Sequence, residues 1–234
     1  GVLPVSWLKE GPAKGIDIPT DPTSARSFKR GYYAAAAFSD DLLGQLLDEV
    51  DKLGLKDDTA VILSSDHGWG LGEHNHWLKY TNFETDAMVP VFIRAPWKTS
   101  SQGKRSAALV ETIDFYPTLV ELAGIPLDKN ESVDGTSFAH LLDNPDAEHK
   151  DAAFSQYPRC WDESVGHTYD KPMARCAGVD RTKFALMGYS MRTDGWRYTE
   201  WVEWDGSKLQ ANWNKLVGVE LYDHSKIATN NTKE

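Results

Sequence analysis

The sequence predicts an α/β domain followed by a small antiparallel α+β subdomain. Three observations carry that reading. A long stretch with apolar residues at three- and four-residue spacing runs from Ser24 to Leu53 and stops at Gly54. A β-branched run without alternation, Thr59-Ala60-Val61-Ile62-Leu63, follows directly. Far downstream, two strand-like stretches, Met187–Thr193 and Trp196–Trp204, flank Asp194-Gly195, a strong hairpin signal.

The elements follow in order. Residues 1–23 have no sustained period and read as a connecting segment. Phe28, Tyr32, Ala35, Ala36, Leu43, Leu46, Leu47, Val50 and Leu53 lie on one face of a helix of roughly 25 residues. Gly54 supplies its left-handed stop. The run 59–63 reads as a strand buried on both faces, and so as part of a parallel or mixed sheet under helices. Val89–Ile93 is a second strand candidate with Pro90 at its start, and Ala107–Val110 a weaker third. Thr112–Gly124 is helical, with Pro117 in its first turn, and Ser137–Leu142 is a short helix. Ala152–Ser155 and Gly218–Tyr222 complete the strands. The character changes near Pro145, which divides the chain into 1–148 and 149–234.

Composition narrows the functions. With 41% hydrophobic and 11% aromatic residues the chain can build a core, which excludes disorder. Acidic residues outnumber basic ones, 35 to 25, for a formal charge of −10. Nucleic acid is therefore not an expected partner, because phosphate binding needs a basic face. No run approaches the ~18 apolar residues of a membrane span. Cys160 and Cys176 are either free buried thiols or a disulfide, the second being expected in an oxidising compartment. Sequons at Asn130 and Asn230 are candidate glycosylation sites. Together these features point to a lysosomal or secreted protein.

The chemistry concentrates in residues 65–80. Ser65-Asp66-His67-Gly68 comes immediately after the first strand, where ligands gather in open α/β sheets. The Asp66 carboxylate suits a hard cation. The His67 imidazole suits a metal or a reacting group. Gly68, Gly70 and Gly72 imply a backbone that passes close to a ligand, and Lys79 closes the stretch. His74 and His76 are either functional or part of the loop rim. Trp196, Trp201, Trp204 and Trp213 form either a carbohydrate platform or a packed sheet face. Arg192 and Arg197 either meet a uronate or sulfate or form salt bridges. His140, His149, His167 and His224 receive no role, and Asp57-Asp58 reads as a turn.

The segment S-D-H-G-W-G-L-G-E-H-x-x-W-x-K-Y (65–80) resembles the C-terminal metal-site segment of sulfatases, and most closely of the iduronate-2-sulfatase branch. Val110–Leu119 with Ala123-Gly124-Ile125-Pro126 resembles the family's V-x-x-x-D-x-x-P-T-L…A-G-I-P helix. Asp134–Phe138 resembles its D-G-x-S-[LF] turn and Glu220–Asp223 its ending. Ser155–Arg159, Met187–Thr193 and Arg197–Val202 resemble the same branch.

The resemblance implies part of an alkaline-phosphatase-like mixed sheet flanked by helices. The implied activity is sulfuric ester hydrolysis, removing a 2-O-sulfate from uronic acid residues of a glycosaminoglycan or sulfated polysaccharide. The implied cofactors are calcium, with Asp66 and His67 among its ligands, and a formylglycine nucleophile made from a Cys in C-x-[PAS]-x-R. Lys79 is the implied catalytic, sulfate-contacting lysine, and Trp69 a wall of the sugar pocket. Neither Cys160 nor Cys176 lies in the nucleophile motif, and no Asp-Asp pair precedes the helix. The expectation is therefore a C-terminal fragment, partnered by an N-terminal half and inactive alone. The rival expectations are another carbohydrate sulfatase, a phospho- or phosphonohydrolase of the same superfamily, or an inactive fragment with a binding or structural role.

Overall fold

A computed structural model describes residues 20–126, 132–161, 163, 166–168 and 175–225. The sequons at Asn130 and Asn230 lie outside the described residues, as does nearly all of the segment 1–23. By contact the chain forms two compact units. One holds residues up to 37 with 66–89 and 154 onward; the other holds 38–65 and 90–153. The grouping does not follow a single cut along the chain.

The first helix, α1 (Pro22–Lys52), begins where Asp21 Oδ1 accepts hydrogen bonds from the backbone N–H groups of Thr23 and Ser24, both at 3.0 Å. Pro22 at the first helical position loses no hydrogen bond there. At the other end Gly54 has φ +71°, Gly54 N–H donates to Asp51 O and Leu55 N–H to Val50 O. That pair of bonds is the Schellman stop, and Gly is the residue that reaches it without steric cost.

In the second unit, strand β1 (Val61–Ser64) pairs antiparallel with a strand at Val91–Arg94, Leu63 lying opposite Phe92. The expectation that residues 59–63 form a strand buried on both faces is corrected here. Leu63 is 38% and Phe92 63% exposed. A run of apolar residues reports the character of both faces, not what covers them. Leu43 and Leu47 of α1 line a groove of about 170 Å³ with Val61, Leu63, Phe92, Ile93 and Arg94. Residues 107–110 form no strand. They lead into a 3₁₀ turn, Thr112–Asp114, and then a helix at Phe115–Leu122. Asp114 is fully buried and ion-paired to Lys150 at 2.7 Å. It also accepts the backbone N–H of Thr136, which docks the Asp134-Gly135 turn.

In the first unit, residues 66–89 carry β2 (Gly70–Leu71) and β3 (Trp77–Leu78), which pair antiparallel, and a one-turn helix, α2 (Glu84–Ala87). Numbering Val91–Arg94 as β4 and Phe115–Leu122 as α3, four strands follow. They are β5 (Ala153–Cys160), β6 (Phe184–Arg192), β7 (Trp196–Asp205) and β8 (Gln210–Asp223), hydrogen-bonded in that order in one sheet. The β6–β7 hairpin turns at Asp194-Gly195, with Thr193 N–H donating to Trp196 O. Ala185, Leu186 and Trp201 form its core, and the Trp201 indole N–H donates to Glu220 Oε1 at 3.0 Å. Trp201 is thus a core residue, whereas Trp213 is 60% exposed and packs on Tyr189. The four tryptophans do not make one platform. Cys160 and Cys176 are joined as a disulfide with Cα atoms 5.4 Å apart.

Candidate active site

The residues gathered at His67 define the site. Asp66 is exposed, and its Oδ2 lies 3.2 Å from His67 Nε2. His67 Nδ1 lies 2.8 Å from the carbonyl oxygen of Gly68. A carbonyl can only accept, so Nδ1 carries the proton and the Nε2 lone pair points outward. The Lys79 ammonium donates to that lone pair at 2.7 Å. A carboxylate, an imidazole lone pair and an ammonium therefore converge on one point although twelve residues separate His67 from Lys79.

Chain geometry explains the convergence. Gly68 N–H donates to Asp86 O at 2.8 Å, and a Cβ on Gly68 would sit 1.9 Å from Thr85 O. Only glycine permits that approach. The β2–β3 pairing then returns the chain, through a 3₁₀ turn at Glu73–Asn75, to Lys79. Leu78 and Tyr80, the residues on either side of Lys79, have φ +76° and +85°. Left-handed backbone at non-glycine residues costs about 1–3 kcal/mol each and persists only where surrounding structure enforces it.

Buried polar contacts enforce it here. Asp86, 4% exposed, accepts from Thr81 N–H and Thr81 Oγ1, and its Oδ2 lies 3.1 Å from His76 Nε2. Arg159 Nη1 donates to Tyr80 O at 2.8 Å. Its guanidinium stacks over Tyr157 and Trp201, and burial pulls its pKa down to about 10. Asn82 donates to Gly188 O and accepts from Ser155 Oγ. Glu84 receives Arg192 Nε and both Arg197 Nε and Nη2, at 2.6–3.1 Å.

This settles several sequence alternatives. Arg192 and Arg197 are ion-paired to Glu84, and Arg197 is buried. His76 is buried against Asp86, and His74 stacks on Phe83 at 4.7 Å. Trp69 stacks on Tyr32 of α1, with ring centroids 6.4 Å apart. Glu84, Asp86 and Arg159 were missed as site supports; the only available signal was a charged residue set beside apolar strand sequence.

Asp66 and His67 fit a divalent cation as two of its ligands. A carboxylate and an imidazole lone pair are donor types that suit such an ion, and in this structure the Lys79 ammonium occupies that lone pair. Among the described residues no group of three or more His, Cys, Asp and Glu side chains assembles. No described helix is long and apolar enough to cross a membrane.

Comparison with known proteins gives a consistent picture. The family model "Sulfatase" matches residues 11–125, and "N-sulphoglucosamine sulphohydrolase, C-terminal" matches residues 72–226, two thirds of the chain. The chain is 30% identical to iduronate 2-sulfatase of Mus musculus, over 90% of this chain and 45% of that protein. It is 32% identical to arylsulfatase K of Rattus norvegicus, over 79% of this chain and 29% of that protein. The chain therefore spans less than half the length of these curated relatives. Among solved structures, the phosphonate monoester hydrolase of Agrobacterium radiobacter superposes with a TM-score of 0.65, covering 88% of this chain and 37% of that one at 24% identity.

Proposed function

This chain belongs to the sulfatase family, and we propose that it forms the C-terminal part of a sulfuric ester hydrolase of the iduronate-2-sulfatase kind. The proposed substrate is a 2-O-sulfated uronic acid residue in a glycosaminoglycan or other sulfated polysaccharide. The observation that carries the reading is the contact of Lys79 Nζ with His67 Nε2, beside Asp66.

The residues take these roles. Asp66 and His67 hold calcium, the Nδ1–H bond to Gly68 O keeping the His67 lone pair directed outward. When bound, the dication neutralises charge on the sulfuryl oxygens. Lys79 presents its ammonium to the ester and stabilises charge growing on the leaving oxygen. The left-handed backbone at Leu78 and Tyr80 fixes where the Lys79 main chain sits beside His67. Trp69 flanks the sugar. The formylglycine nucleophile is supplied by the N-terminal half of the enzyme, and this chain alone is inactive. The disulfide and the sequons at Asn130 and Asn230 support a lysosomal or secreted location.

The test compares the full-length protein with residues 1–234 alone. A 2-O-sulfated uronide, a hexosamine 6-O-sulfate and a phosphonate monoester are offered to each. Turnover of the uronide by the full-length protein only, lost on chelation and restored by calcium, is expected. Preference for either other ester overturns the substrate assignment, and turnover by residues 1–234 overturns the division of the site.

A further inference from the structure

We propose that Arg175 reads a second anionic group on the carbohydrate, a carboxylate or a further sulfate, next to the ester held by Lys79. The inference rests on the reading of Lys79 given above and names a selectivity residue for that site.

The geometry centres on Tyr80. The Lys79 ammonium lies 5.4 Å from the centroid of the Tyr80 ring and the Arg175 guanidinium 5.6 Å from the same centroid. Two groups so placed are no more than about 11 Å apart. Arg159 lies at the backbone of the same residue, donating to Tyr80 O. Three cations thus surround one residue of a protein whose formal charge is −10. Like charges brought together repel, and a bound dianion relieves that repulsion.

The three differ in what they can do. Arg159 is 2% exposed and stacked on Tyr157 and Trp201, so it serves the fold. Lys79 belongs to the reacting group. Arg175 is exposed, and its planar fork matches a carboxylate or sulfate in bidentate fashion. Arg175 is also held in place. Its neighbour Cys176 is bonded to Cys160, which follows Arg159 at the end of β5. The disulfide therefore fastens the Arg175 backbone to the strand that supports Tyr80. With its backbone fastened beside a disulfide and its guanidinium resting over an aromatic face, Arg175 loses little freedom on binding an anion.

The experiment uses the full-length protein, wild type, Arg175→Gln and Arg175→Lys. Three ligands are compared: a 2-O-sulfated uronate disaccharide, a disulfated hexosamine without a carboxylate, and a neutral hexose monosulfate. Arg175→Gln should raise KM for the uronate disaccharide about tenfold to a hundredfold, with kcat unchanged and no effect on the neutral monosulfate. Arg175→Lys should recover part of the loss. The same weakening for the disulfated hexosamine assigns the second group to any anion; weakening for the uronate alone assigns it to a carboxylate. Equal losses on all three ligands, or a fall in kcat with KM unchanged, would overturn the proposal and leave Arg175 as a prop for Tyr80. Calorimetric titration of the same ligands reads Arg175 without turnover. An enzyme that hydrolyses none of them but still shows the Arg175-dependent difference in affinity refutes the sulfatase assignment and not this one.

Discussion

Replacing Glu84 by Gln should loosen the β6–β7 hairpin and the Lys79 loop together. Glu84 is 16% exposed at its side chain, Arg192 16% and Arg197 4%. Its carboxylate accepts Arg192 Nε at 2.9 and 3.1 Å and Arg197 Nε and Nη2 at 3.0 and 2.6 Å. Gln keeps the shape and one acceptor but leaves two poorly hydrated guanidinium groups without a counter-charge. Breaking a buried pair in this way costs about 3–5 kcal/mol. Converted to an equilibrium, that lowers hydrogen-exchange protection in Phe184–Arg192 and Trp196–Asp205 by roughly two to three and a half orders of magnitude at pH 7. The pH dependence has a definite sign. Burial raises the Glu84 pKa, but Arg197 and Arg192 outweigh it, so the carboxyl stays below its usual 4.5. A depressed acid contributes stability that is present above its unfolded pKa and lost as pH falls through the folded one. The Gln penalty should therefore be full at pH 7 and shrink as pH falls below about 4.5, where the unfolded chain takes up its proton first, until folded Glu84 is protonated too. Protection reduced less than tenfold at pH 7, or a penalty that grows on acidification, would refute the reasoning.

Further outcomes follow from other contacts. Lys79→Ala in the full-length protein should lower kcat about 10²–10³-fold with little change in KM, and a loss under tenfold in steady-state assays would remove Lys79 from the reaction. Gly68→Ala places a methyl group 1.9 Å from Thr85 O and should cost about 1–3 kcal/mol, seen as a lower Tm; an unchanged melt would contradict the close approach. Reducing the Cys160–Cys176 bond, which spans a sequence separation of 16, should destabilise by about 3 kcal/mol in denaturant titration, and no shift in midpoint would show that the loop is held by other means.

How far the sequence reached depends on the range of the interactions involved. The first helix was legible because its period, Pro22 and Gly54 are all local features. The β6–β7 hairpin was legible through Asp194-Gly195 for the same reason. Asp66, His67 and Lys79 were legible as a set by resemblance, and the β2–β3 return supplies the physical reason they meet. What escaped was set by partners distant in the chain. Nothing near Glu84 announces Arg192 and Arg197, more than a hundred residues on. His76 looked the same as His74 until Asp86 and Phe83 separated them, one becoming a buried polar pair and the other a stacked ring. The run 59–63 reads as covered although Leu63 is exposed, because apolar character is written in the residues and coverage is not.

The attachment of residues 66–89 to the far C-terminal strands has a consequence for biosynthesis. On the ribosome the loop bearing Lys79 emerges long before the strands to which Asn82 and Glu84 are bonded, Gly188 O lying 106 residues downstream of Asn82. The nascent loop must therefore wait for translation to pass Arg197 before it acquires its final anchors. A premature stop between the codons of Lys79 and Arg197 leaves Asp66, His67 and Lys79 encoded, yet without the clamp that shapes their loop.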